Sequence, residues 1–94
     1  MFSGLSDISE KMRTEAINEP VKVRADFTGG RITPIAFKRR GEVCRIEKVN
    51  ARWVDTASES PVYYFSVSSG PNAYELSLST RDMLWHLERV ILDD

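Results

Sequence analysis

The chain carries very little of what most enzyme chemistry needs. Its 94 residues contain one cysteine, Cys44, and one histidine, His86. A single cysteine makes no internal disulfide. A zinc site takes about four Cys, His or carboxylate ligands at defined spacing, so no metal or other cofactor is expected. There is no P-loop, no GxGxxG and no GxSxG. Gly29-Gly30 is too short to cradle a phosphate and reads as a turn. Cys44 and His86 allow a nucleophile–base pair on paper. A lone cysteine in an apolar strand, however, is more often a small buried hydrophobe, and no catalytic residue is expected. Asp93-Asp94 reads as a solvated acidic pair. No apolar run approaches the ~18 residues of a membrane span. The start, MFSGLSDISEKMR, lacks the basic opening and apolar stretch of a signal peptide, so a cytoplasmic protein is expected.

What is present is the composition of one globular domain. Hydrophobic residues make up 41% and charged residues 29% of a 10.7 kDa chain, outside the range of wholly disordered sequences. The net charge of −1 hides three unequal segments. Residues 1–19 and 57–94 are acidic. Residues 20–56 hold nine basic residues against four acidic ones. Such a basic middle suits an anionic partner. Alternatively, the acidic segments fold back beside it, which is the weightier reading of composition alone.

Periodicity divides the chain at about residue 18. Asp7 and Glu10 have capping-box spacing, and Leu5, Ile8, Met12, Ala16 and Ile17 fall near one helical face. Residues 1–18 are therefore expected as a short helix or a mobile segment, ended by Asn18-Glu19-Pro20. Residues 19–94 form a β domain. Val21, Val23, Ala25 and Phe27 alternate with Lys22, Arg24, Asp26 and Thr28, a half-buried strand. Gly29-Gly30 turns it. Ile35 and Phe37 share a face in a second strand, with Pro34 marking an edge or bulge. After Arg40-Gly41 comes a third strand, Glu42–Asp55, where Cys44 and Ile46 are out of phase with Val49 and Trp53. A bulge near Glu47-Lys48 restores the phase. Val62–Val67 and Tyr74–Leu78 form a hairpin about Ser69–Asn72. Residues 81–92 fit either a helix or a sixth strand.

The order Glu19-Pro20-Val21-x-Val23, Gly30-Arg31, Pro34, Phe37, Arg40-Gly41, Ile46, Val49, Trp53, Tyr64-Phe65-x-Val67, Tyr74-Glu75-Leu76 and Trp85-x-Leu87-x-Arg89-Val90 resembles a family of short, uncharacterised bacterial proteins, classed as a domain of unknown function. The resemblance spans about residues 19–92. It implies a strand for the closing W-x-L-x-R-V pattern. It departs at Lys38 and Cys44, where the family favours aromatic residues. Some members are encoded near translesion DNA polymerases, which implies a nucleic-acid-related role.

The expected architecture is mainly β: a single antiparallel, strongly curled sheet or small open barrel of five or six strands, with a short N-terminal helix. Its core should hold Val21, Val23, Phe37, Ile46, Val49, Phe65, Val67, Leu76 and Leu87. The expected function is a non-catalytic binding module. Lys22, Arg24, Arg31, Lys38, Arg39 and Arg40 are its candidate nucleic-acid contacts, as phosphate ligands without base readout. Lys48 and Arg52 extend the set, and Phe37, Trp53 and Tyr63 are candidate stacking surfaces. For Lys38-Arg39-Arg40 the weightier reading is a charged hairpin tip that protects a sheet edge from aggregation. The other expected partners are an acidic protein surface and a second copy of the chain, since tyrosine and arginine are enriched at interfaces.

Overall fold

The computed structural model describes residues 12–93. They form seven strands: β1 (Met12–Thr28), β2 (Arg31–Arg39), β3 (Glu42–Arg45), β4 (Lys48–Asp55), β5 (Val62–Ser69), β6 (Asn72–Ser79) and β7 (Leu84–Asp93). All belong to one sheet in the order β3-β2-β1-β7-β6-β5-β4, and every pairing is antiparallel. Two features curl it into a half-barrel. β1 changes partner midway: Met12–Val21 pair with β7, and Lys22–Thr28 pair with β2. At the sheet's two ends, β3 and β4 are separated only by Ile46 and Glu47. The Ile46 N–H still donates to the Ile35 carbonyl at 2.8 Å, while the Glu47 N–H donates to the Ser68 carbonyl at 2.8 Å. The chain thus steps from one end of the sheet to the other in two residues, which only a strongly curled sheet permits.

The inner face follows the sequence alternation. Phe37, Phe65, Val67, Tyr74, Leu76, Leu87 and Val90 are buried together, and Ile17, Val21, Val23, Ile46 and Val49 pack against them partly exposed. The Tyr74 ring meets Phe37 edge-on at 5.0 Å. Full burial of one such side chain stabilises by roughly 1.5–3 kcal/mol, so this cluster supplies the main favourable term.

Bulges adjust the alternation where it would fail. Between β1 and β2 the register shifts at Arg24/Ala25, which leaves Ile35 without a partner across the ladder. Pro34, which has no N–H to give, sits beside that bulge. Its cost to the sequence reading is Ile35: the bulge turns Ile35 outward, 37% exposed, while Phe37 is 1% exposed. The two do not share a face. A second bulge in β1 lies between Ala16 and Glu19, where Asn18 takes a positive φ of 50°, a region asparagine tolerates better than most residues.

Three expectations are corrected. Residues 12–18 are strand, not helix; the remainder of the expected helix lies outside the described residues, among which there is no helix. The apolar stripe was thin, and a helix of that length is marginal in water. β7 offers the same residues a ladder of hydrogen bonds and a core contact for Ile17. The expected third strand is two, β3 and β4, because the chain breaks at Ile46-Glu47 rather than bulging at Glu47-Lys48. This break makes seven strands where five or six were expected. Residues 84–93 are strand, which decides the last segment.

Candidate anion-binding face

Val21 and Val23 turn inward, so Lys22 and Arg24 turn outward on the half of β1 that pairs with β2. The register then assembles two rows across three strands. Lys22 lies opposite Lys38, and Lys38 opposite Val43; Arg24 lies opposite Ala36, and Ala36 opposite Arg45. Four cations therefore surround one alanine. The small Ala36 side chain leaves a shallow depression of about 370 Å³, lined also by Ile35 and Val43. No carboxylate among the described residues lines it. Among the described residues, none of Lys22, Arg24, Lys38 and Arg45 makes an ion pair. Like charges directly opposite one another across a ladder are destabilising. The Lys22–Lys38 pair is thus an internal repulsion that an anion bound between them would relieve.

The expected contact residues divide. Lys22, Arg24 and Lys38 come together. Arg40 is exposed at the adjoining two-residue turn, where its φ of 51° and the 83° of Gly41 give the mirror-image geometry that suits a tight hairpin. Arg39 is on the other face of β2, in phase with Phe37. It is half-buried, and its Nε lies 3.5 Å from a carboxylate oxygen of Glu19. Arg31 is at the opposite end of β2, in a separate groove with Arg52. Lys48 is exposed at the start of β4. Arg52 serves the fold: its guanidinium donates to the Ile32 carbonyl and to Thr33 Oγ1, and lies 5.7 Å above the Phe65 ring. It clasps β4 to β2 where no ladder joins them.

Arg45 was absent from the expected contacts. Its signal was present, since inward Cys44 and Ile46 force Arg45 outward between them. The candidate stacking rings are not on the basic face. Phe37 is core. Trp53 stacks on Tyr64 across β4 and β5, centroids 5.4 Å apart and planes within 4°. Tyr63 lines the Arg31 groove.

Cys44 points inward against the core, half-buried. Burial foremost, then the Glu42 carboxylate, pushes its thiol pKa up, against a smaller opposing effect of Arg39. His86 alternates with inward Leu87 and so lies on the outer face of β7, opposite Ser77. The two are on different faces of the sheet and form no pair. Among the described residues no group of three or more His, Cys, Asp or Glu side chains could hold a metal ion, and no helix is long and apolar enough to cross a membrane. Compared with family models, curated proteins and solved structures, the chain shows no match.

Proposed function

We propose that this protein is a non-catalytic, cytoplasmic binding module whose basic face takes an anionic partner, nucleic acid foremost. The observation that carries the reading is the cluster of Lys22, Arg24, Lys38 and Arg45 around Ala36, which make no ion pair and meet no lining carboxylate among the described residues. Lysine and arginine bind phosphates through charge and counterion release. Among the described residues the face exposes no aromatic ring, since Phe37 beneath it is buried, so it contacts backbone phosphates and reads no bases. Arg40, at the edge of the same face, extends the track.

The test is a titration with single- and double-stranded oligonucleotides across salt concentrations. Four phosphate contacts give a slope of log K against log salt of about −3 to −4. Binding then weakens by roughly two orders of magnitude between 50 and 200 mM salt. Replacing Lys22, Arg24, Lys38 and Arg45 together by Ala should abolish both affinity and slope. Absence of binding to either oligonucleotide at low ionic strength overturns the nucleic-acid reading.

A second reading, association with a protein surface or a second copy of the chain, is favoured by a different observation. Phe27, Val43, Trp53, Val54, Met83 and Leu84 are large apolar side chains between 43% and 68% exposed. A mass in solution that rises with concentration supports it.

A further inference from the structure

The half-barrel is split along one seam. β3 follows β2 only as far as Ala36, so Arg31–Pro34 pair with β1 alone. β4 pairs with β5 alone. Between them lies a groove of about 380 Å³ whose walls include Arg31, Ile32, Arg52, Val54, Tyr63 and Phe65. We propose that this seam is a binding site for a small organic anion with a flat, apolar body, such as an aromatic carboxylate, sulfonate or phosphate.

The walls set the body of the ligand. Ile32, Val54 and Tyr63 present aliphatic and aromatic surface, with the core ring of Phe65 beneath them. Val54 is 47% and Tyr63 36% exposed, which leaves apolar area for a ligand to cover. Ligand sites span about 300–1,000 Å³, so this groove is sized for one or two rings rather than for a dinucleotide. The charge of the lining sets the head group. Arg31 and Arg52 are its ionisable cations, and no Asp or Glu among the described residues lines it. Arg52 is committed to β2 and lies over Phe65. Arg31 is exposed and makes no ion pair among the described residues, so its guanidinium is available to clamp an oxyanion.

The same contacts argue against an extended peptide as the occupant. A strand entering the seam would hydrogen-bond the free edge of β2, and there the Ile32 carbonyl already accepts from Arg52. This inference does not depend on the basic face, which lies on the outer side of β1, β2 and β3 and shares no lining residue with the groove.

The experiment uses two fluorescent probes that share an aromatic body. 1-Anilinonaphthalene-8-sulfonate carries a permanent negative charge; N-phenyl-1-naphthylamine is its neutral counterpart. The full chain should bind the sulfonate saturably with one-to-one stoichiometry. Arg31→Ala should weaken sulfonate binding by about tenfold or more, the loss of one charge-assisted contact. The same variant should leave the neutral probe's affinity unchanged. A Lys22→Ala/Lys38→Ala variant should bind both probes as the wild type does. Matching circular dichroism and thermal midpoints establish that the variants are folded. The proposal is overturned if sulfonate binding is not saturable, or if Arg31→Ala leaves it unchanged. It is also overturned if the Lys22/Lys38 variant loses the sulfonate instead, because the anion then sits on the basic face.

Discussion

Two outer faces of the same sheet treat charge in opposite ways. On β5, β6 and β7 the charged groups find partners within the protein. Glu75 pairs with Arg89 at 3.5 Å, and the Ser77 hydroxyl donates to Glu88 at 2.6 Å. Burial, followed by the carboxylates of Glu88, Asp55 and Glu75, pushes the Tyr64 phenol pKa up, with Arg89 opposing. That face is mildly acidic and internally balanced. On β1, β2 and β3 the four cations have no such partners among the described residues, and two of them stand directly opposite each other. Both faces rest on one shared core, so the difference is not a matter of fold. A face that satisfies its own charges serves the sheet, whereas one that leaves them facing solvent is where an outside counter-charge can act.

The largest expected effect removes what the two faces share. Leu76 is fully buried at the centre of β6. Leu76→Ala should destabilise the protein by about 2–5 kcal/mol through lost burial and a residual cavity, measured by urea unfolding. Loss of the β7 and β1 ladders along with β6 would show one cooperative unit. A separately surviving β1–β2–β3 unit would break the comparison into two domains.

Next in size is the asymmetry in stability between the faces. Lys38→Glu replaces a like-charge pair across the ladder with an opposite-charge one. It should stabilise the fold by roughly 0.2–1 kcal/mol at low salt, an effect that shrinks as salt is added. Arg89→Ala should act in the other direction, by about 1 kcal/mol or less, because the Arg89 side chain is half-exposed to solvent although its partner Glu75 is largely covered. If Lys38→Glu destabilises, the repulsion assigned to Lys22 and Lys38 is wrong.

The smallest effect is alkaline. Cys44 and Tyr64 both have folded-state pKa values raised above their ordinary ones of 9.0 and 10.0. The folded protein therefore holds these protons more tightly than the unfolded chain. Their contribution to stability is fully present below pH 9 and is lost as pH rises through the raised values. The thermal midpoint should fall above that point, and Cys44→Ser should remove the cysteine's share. The same burial predicts slow reaction of Cys44 with a thiol reagent in the native state and rapid reaction in denaturant. Fast native labelling would mean that β3 is turned over, and with it Arg45.

How far the sequence reveals this arrangement depends on how local the deciding force is. The β5–β6 hairpin is legible from strict alternation and a Gly-Pro turn, and the outward direction of Lys22 and Arg24 follows from Val21 and Val23. Arg39 does not belong with Lys38 and Arg40, although the three are consecutive at one hairpin tip. Its phase with Phe37 already placed it on the inner side, where Glu19 meets it. Residues 12–18 carry a helical spacing that β7 overrides, and that partner lies more than seventy positions along the chain. Strict alternation puts Ile35 on the inner face with Phe37, and a bulge beside Pro34 inverts that alternation within two residues. The break at Ile46-Glu47 has the same character: it follows from closing the sheet, a tertiary demand with no local mark beyond a change of phase.

The central claim is that an anionic partner meets the protein on the outer face of β1, β2 and β3. The most direct test is a map of backbone amide chemical shifts during titration with a single-stranded oligonucleotide at low salt. The account predicts shifts concentrated at Lys22–Arg24, Ala36–Lys38 and Val43–Arg45, fading together as salt is raised. Shifts concentrated instead on β5, β6 and β7 around Tyr64, Glu75 and Glu88, or no shifts at any salt concentration, would contradict it.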